Sequence, residues 1–138
     1  MDDTFLVQFT EHEMTVAVET IARELFLARK PPWRRTKGAA EWATLPPFTL
    51  YQLKAAAGEM ILPTLTALPE RPTPGGRPAF STEELLAAAE AGARGLAEQR
   101  RAGSWEAMPA RKRKRLARLT AMLTRRAIDA MPPRSAQT

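Results

Sequence analysis

A hexapeptide pattern that occurs twice constrains the fold of this chain more than any other feature. The sequences FTEHEM at 9–14 and FSTEEL at 80–85 each place a hydroxyl residue three positions before a glutamate. In such a capping box the hydroxyl of Thr10 or Ser81 accepts the N–H of that glutamate, whose carboxylate accepts the N–H of the hydroxyl residue. The phenylalanine before each box is placed to pack across the first turn. The pattern therefore predicts two helices with the same kind of start.

Apolar periodicity and prolines extend this to four predicted helices. Apolar residues recur at three- and four-residue steps in each segment, and no segment shows a convincing two-residue alternation. Prolines bound the second and fourth segments. The predicted helices cover residues 10–30, 47–63, 82–101 and 109–131. The sequence therefore predicts an all-α protein.

The sequence similarity between the two halves extends beyond the capping boxes. Seven of the seventeen residue pairs that align 9–25 with 80–96 are identical. A W-x-x-[LM]-P motif follows at Trp42–Pro46 and at Trp105–Pro109, and the first connecting loop is eight residues longer than the second. The chain thus predicts a duplicated helix-loop-helix unit.

The organisation that follows is one compact domain made of two units. The first unit covers 1–66, a proline- and glycine-rich linker 67–79, the second unit 80–133 and a tail 134–138. A core of fewer than about 70 residues rarely supplies enough stability alone, so the four helices are expected to pack with pseudo-twofold symmetry. Gly92 and Gly95 lie inside the third predicted helix, where each costs up to about 1 kcal/mol relative to alanine. We expect another helix to approach them closely.

Catalytic and metal-binding residue types are scarce. The chain has no cysteine, which excludes a disulfide framework, a thiolate zinc site and a cysteine nucleophile. His12 is the only histidine, and it is expected in solvent in a first turn, where its neighbours Glu11 and Glu13 point in other directions. The Gly75-Gly76 pair follows no strand and lacks the Lys-Ser/Thr of a phosphate loop. We expect a non-enzymatic protein without a cofactor or metal.

The positive charge is concentrated in the second half. Residues 1–70 contain seven Lys/Arg and nine Asp/Glu, whereas residues 71–138 contain fourteen and six. On a helix over 109–131, Leu116, Leu119 and Leu123 share one arc with Ala127, and Met122 lies opposite among basic residues. No acid occurs from 107 to 127. The alternative to a binding surface is a charged face that only keeps the helix in contact with water. The predicted partner-binding residues of this helix are Arg111, Lys114, Arg115, Arg118, Met122, Arg125 and Arg126.

The tryptophans divide into two classes. Trp42 and Trp105 occupy equivalent positions of the repeat, which favours a packing role. Trp33 has no counterpart and stands beside Arg34 and Arg35, a combination that is common in protein interfaces. We predict that these three residues also contact a partner.

The repeated unit, with its motif at Trp42–Pro46 and Trp105–Pro109, resembles a pattern found in small helical proteins of phages and prophages. The resemblance implies a protein that redirects or inhibits a host machine such as transcription or CRISPR interference. Its implied partner is a host protein or ribonucleoprotein complex. No site residue can be transferred from this resemblance.

Two functions are therefore compatible with the sequence. In the first, a regulator or inhibitor binds a host nucleic-acid-handling complex through the basic helix and the Trp33 loop; in the second, the basic helix binds DNA or RNA directly. The first is favoured because no helix-turn-helix with a short turn is evident. The absence of a long apolar run or a basic start predicts a cytoplasmic protein without membrane association, as a monomer or homodimer.

Overall fold

Helices form all the regular structure of the described chain. The computed structural model describes residues 9–71, 73 and 75–134, and no strand occurs within them. A 3₁₀ turn, Pro32–Arg34, precedes the second helix. The described α-helices are α1 (Glu11–Ala28), α2 (Arg35–Ala43), α3 (Pro47–Ala67), α4 (Thr82–Arg100), α5 (Ser104–Ala107) and α6 (Ala110–Ala130). The prediction of an all-α protein is confirmed.

Both predicted capping boxes are present. The Thr10 hydroxyl accepts the N–H of Glu13 at 3.0 Å, and the Ser81 hydroxyl accepts the N–H of Glu84 at 3.1 Å. Each glutamate carboxylate in turn accepts the cap N–H at 2.9 Å. The phenylalanine rings that precede the two boxes pack on one another, with centroids 6.3 Å apart. The starts of α1 and α4 therefore lie together at one end of the molecule.

The number of helices differs from the prediction, because two segments expected as loops are helical. α2 contains alanine, arginine, lysine and glutamate, all good helix formers, and it follows a turn opened by proline. α5 follows Gly103, whose φ of 80° places it in the left-handed region that glycine adopts readily. The described residues thus contain six helices, and four of them (α1, α3, α4 and α6) are long.

The predicted end of the second helix at Pro63 is wrong, since α3 continues through it to Ala67. Proline inside a helix removes the bond to the carbonyl of Glu59 and costs about 3 kcal/mol. Beyond the proline, however, Thr64 and Leu65 are completely buried. Packing of this last turn on the rest of the bundle offsets the local cost.

The close approach predicted at the glycines of α4 holds for one of them. A Cβ atom added to Gly92 would lie 2.6 Å from the Thr64 hydroxyl and 2.8 Å from the Thr64 nitrogen. Gly95 has no neighbouring atom within 4 Å of the same position. The expectation for Gly95 is therefore wrong, because that residue faces away from α3.

The four long helices enclose an aliphatic core. α1 and α4 each pack on both α3 and α6, and α3 and α6 pack on one another. The short helices lie outside, with α2 on α1 and α5 on α4. None of the described helices is both long and apolar enough to cross a membrane. The large apolar aliphatic and methionine side chains of this core, each at most 5% exposed, are Ile21, Ile61, Leu65, Leu68, Leu85, Leu123, Ile128 and Met131.

Two arginines outside the helices connect the ends of the bundle. Arg71, which follows α3, donates to both carboxylate oxygens of Glu84 at 2.7 and 2.5 Å. Arg134, which follows α6, donates to the carboxylate of Glu13 at 3.0 and 3.3 Å. Each guanidinium also covers the phenylalanine before the same box, 5.1 and 5.7 Å from the ring centroid. The arginine that follows α3 thus holds the capping box of α4, and the arginine that follows α6 holds the capping box of α1.

These ion pairs change the titration of the capping glutamates. Burial raises the pKa of Glu13, but hydrogen bonds from Arg134 and from Thr10 outweigh it, and the pKa lies below its usual value of 4.5. At Glu84 the hydrogen bonds from Arg71, supported by the Ser81 N–H, lower the pKa to about 2. Both carboxylates are charged at neutral pH, as the pairs require.

Candidate functional site

The outer face of α6 presents the basic residues named from the sequence. Met122 lies at the centre of this face and is 48% exposed. The opposite side of the helix is buried and consists mainly of alanine and threonine. Six basic side chains on this face are exposed, and together with Met122 they are called the α6 basic face: Arg111, Lys114, Arg115, Arg118, Arg125 and Arg126.

The predicted buried arc of this helix is partly wrong. Leu123 and Ala127 are buried, but Leu116 is only partly buried and Leu119 is 42% exposed. Small residues allow α6 to pack closely in the bundle, and buried Thr124 donates its hydroxyl to the carbonyl of Thr120 at 2.7 Å. The small-residue face therefore turns inward and Leu119 joins the edge of the α6 basic face.

Few of the basic residues in α6 are neutralised by neighbours. Arg126 lies 3.5 Å from a carboxylate oxygen of Glu24, and Arg113 lies 4.0 Å from one of Glu106. The others make no ion pair with any residue in the described part of the chain: Arg111, Lys112, Lys114, Arg115, Arg118 and Arg125.

The position of this charge along the helix strengthens its field. The first turn of α6 contains no acid, and its N-cap, Pro109, makes no side-chain hydrogen bond. The exposed N–H groups and the positive end of the helix dipole add to the charge of Arg111 and Lys112. Cations clustered at this end of a helix do not stabilise it.

The Trp33 loop is a second exposed surface. Trp33 is 82% exposed in the 3₁₀ turn, and Arg34 and Arg35 are also exposed. This segment packs beside α2, which lies on α1. Among the described residues no hydrogen bond, ion pair or ring contact joins these three side chains to α6. The structure therefore shows no direct contact of these kinds between the two predicted parts of the interface.

The other tryptophans pack internally. Trp105 is 2% exposed, and its backbone N–H donates to the Glu98 carboxylate at 3.3 Å. Trp42 is half-buried, with its ring 5.7 Å from that of Phe26. The packing role predicted from the repeat is confirmed for Trp105, whereas Trp42 has a more open environment.

Two exposed aromatic residues were not selected from the sequence. Phe48 and Tyr51 lie one turn apart near the start of α3, and each is 69% exposed. With the two W-x-x-[LM]-P motifs aligned, they occupy the positions of Arg111 and Lys114. The signal was available, because both aromatics stand outside the apolar stripe of their helix.

A groove between α4, α5 and α6 was also not foreseen. Its volume is about 530 Å³, and it lies at the side of the α6 basic face. The residues that line it are Glu83, Leu86, Ala87, Glu90, Trp105, Ala110, Arg113, Lys114, Ala117 and Arg118.

Metal-ligating residue types do not cluster in the part of the chain that the structure describes. His12 is exposed, and no group of three His, Cys, Asp or Glu residues in the described part of the chain could hold a metal ion. Comparisons with protein-family models, with curated proteins and with solved structures find no match to this chain.

Proposed function

We propose that this chain is a non-enzymatic binding protein that docks through the α6 basic face onto an acidic surface of a partner protein. The observation that carries the proposal is the combination of unpaired cations with two exposed apolar side chains, Leu119 and Met122, on one rigid helix. Arginine and methionine are enriched in protein interfaces. The cations would pair with carboxylates while the two apolar side chains lose water.

The apolar component favours a protein over nucleic acid. A phosphate backbone can neutralise arginines, but it offers no apolar surface for Leu119 and Met122. Turn length does not separate the two candidates, because only residues 44–46 lie between α2 and α3 and only residues 108–109 lie between α5 and α6. Direct DNA or RNA binding remains the second candidate, because no acid interrupts α6 before Asp129.

The resemblance to small phage and prophage proteins extends the proposal to a regulator or inhibitor of a host nucleic-acid-handling complex. A groove that binds nucleic acid is itself basic and would repel α6. The proposed contact is therefore an acidic protein face of such a complex.

We also propose that the two units form a duplicated, pseudo-twofold arrangement. The capping boxes of α1 and α4 match, and each receives an ion pair from an arginine that follows a helix of the other unit. In addition, α3 and α6 are both 21 residues long, and each follows a proline with nearly the same backbone dihedral angles. Under this arrangement the start of α3 and the start of α6 are equivalent places. One carries aromatic residues and the other cations, so the second unit would hold the electrostatic contact.

A charge reversal tests the proposal. The double variant Arg111→Glu with Arg115→Glu reverses two exposed cations that make no described ion pair, and it should retain its helicity by circular dichroism. Arg23→Glu with Arg101→Glu makes the same change in net charge at other exposed positions and is the matched control. Each tagged variant is used to capture partners from a host-cell lysate with and without nuclease.

We expect the parent and the control variant to capture a protein partner even after nuclease treatment. The Arg111/Arg115 variant should not capture it. Its affinity should be measured again with purified components at two or more salt concentrations. Capture of nucleic acid, with a salt slope reduced by about 0.7–0.9 per lost phosphate contact, would establish the second candidate. Equal binding of the α6 variant and the control would show that α6 is not the contact.

A further inference from the structure

The groove between α4 and α6 has the geometry of a helix-docking surface. Its lining residues recur at three- and four-residue steps on both helices, at 83, 86, 87 and 90 on α4 and at 110, 113, 114 and 117 on α6. This is the spacing of a helix face that meets another helix. Two helices therefore turn these faces toward the same space, which α5 lines only through Trp105.

Opposite walls of the groove carry opposite charge. Glu83 and Glu90 lie on the α4 wall, and Lys114 and Arg118 lie on the α6 wall. These four side chains make no ion pair within the described residues. Between the walls lie the apolar side chains of Leu86, Ala87, Trp105 and Ala117.

One groove residue also lacks a hydrogen-bond acceptor. The Arg113 Nε atom is buried without a hydrogen-bond partner, and its guanidinium reaches Glu106 only at 4.0 Å. Buried donors of this kind normally have an acceptor. The Arg113 side chain as a whole is 32% exposed, so a carboxylate that entered along the α6 wall would pair with the exposed part of its guanidinium.

A comparison within the chain explains why the space exists. In the first unit, Lys54 of α3 lies 3.9 Å from the carboxylate of Glu19 on α1. With the units aligned on their motifs, Ala117 takes the place of Lys54, and Glu90 takes the place of Glu19. The second unit therefore has neither a long side chain nor such an ion pair at this position, and the groove lies there.

We infer that this groove receives an amphipathic helix of the partner protein, an inference that rests on the proposed function and identifies the docking segment. Glutamates of that helix lie beside Lys114 and Arg118, and its lysines lie beside Glu83 and Glu90. Its apolar stripe covers Ala87 and Ala117, whose small side chains allow a close approach, as in other helix-in-groove complexes. The α4 wall runs from Glu83 to Glu90, a rise of seven residue steps or about 10 Å, which matches two turns of the docked helix.

Synthetic helices test this inference without the natural partner. The probe is a capped peptide of about 15 residues, long enough for partial helicity, with a leucine stripe flanked by glutamates on one side and lysines on the other. One control peptide has alanine in place of leucine, and another has lysine on both flanks. Binding to the full chain is measured by fluorescence anisotropy, and the contact region by NMR chemical-shift changes.

Ala117→Lys is the decisive variant, because it places at 117 the lysine that the first unit has at the aligned position 54, and it fills the groove. Ala130→Lys adds the same charge at an exposed position near the end of α6 and is the matched control. We expect the probe to bind the parent and Ala130→Lys at least tenfold more tightly than it binds Ala117→Lys. The alanine peptide should bind the parent at least tenfold more weakly than the probe does.

A rim variant covers the case in which Ala117→Lys folds poorly. Lys114→Glu with Arg118→Glu makes both walls acidic, so it should prefer the peptide with lysine on both flanks. An unchanged order of peptide affinities in this variant, or equal binding of probe and alanine peptide to the parent, would overturn the inference.

The outcome can be separated from that of the proposed function. Arg111 and Arg115 do not line the groove, so their reversal should leave probe binding intact. If Ala117→Lys retains the natural partner while the Arg111/Arg115 variant loses it, the helix-docking inference fails and the α6 proposal stands.

Discussion

Substitution of the two glycines in α4 by alanine should change stability in opposite directions. Both lie in the middle of the same helix, three residues apart, so the gain in helix propensity is the same, about 1 kcal/mol for each. At Gly95 nothing opposes this gain, because no atom lies within 4 Å of the new methyl group. At Gly92 the methyl group would lie 2.6 Å from the Thr64 hydroxyl and 2.8 Å from its backbone nitrogen.

The steric term decides the sign at Gly92. Overpacking of a well-packed core typically costs about 1–3 kcal/mol, and the upper part of that range applies because a backbone atom must move. After the propensity gain, Gly92→Ala should destabilise the fold by about 2 kcal/mol, whereas Gly95→Ala should stabilise it by about 1 kcal/mol. The two variants should therefore differ by about 3 kcal/mol.

Urea unfolding followed by circular dichroism measures both changes. The slope of the free energy of unfolding against urea should be unchanged, so that shifts in midpoint report stability. In thermal unfolding, each kcal/mol should correspond to about 3–5 °C for a chain of this size. Equal stabilisation by both substitutions would refute the close approach of α3 and α4 at Thr64.

Three further predictions concern the ends of the bundle and the tryptophans. Arg134→Met should destabilise the fold by about 3–5 kcal/mol in urea unfolding, because it leaves the buried carboxylate of Glu13 without its ion pair. Addition of Glu13→Gln should recover part of the lost stability, and no recovery would argue against the ion pair. Because the pKa values of Glu13 and Glu84 are lowered on folding, the folded state binds fewer protons than the unfolded state, so stability should fall as the pH drops from about 4.5 toward 2. A pH-independent urea midpoint across that window would contradict this linkage. Trp105→Ala should cost about 3–5 kcal/mol and Trp42→Ala less, since only Trp105 is fully buried; equal melting temperatures of the two variants would contradict the difference in burial.

The predictions from sequence were most accurate where neighbouring residues decide the structure. A capping box needs only four consecutive residues, and both boxes form the predicted bonds. The helical stretch from Thr82 to Arg100 was predicted to within one residue, because its cap and its periodicity agree. The exposure of the α6 cations followed in the same way from their number and spacing.

The prediction failed where packing overrides local preference. Local rules end a helix before Pro63, yet α3 gains enough burial at Leu65 to continue. Hydrophobicity alone places Leu119 inside, but close packing of α6 through alanine and threonine turns it outward. The groove was not predictable either, because it depends on which faces of α4 and α6 come together.

By itself the sequence determined the helical class, the starts of α1 and α4, the lack of cysteine chemistry and the excess of cations in the second half. Each of these depends on composition or on residues within a few positions of one another. Only the tertiary structure decided that Arg134 pairs with Glu13, 121 residues earlier, and that Arg71 pairs with Glu84. A charged side chain selects its partner by distance in space and by the local loss of water, and neither quantity can be obtained from sequence separation.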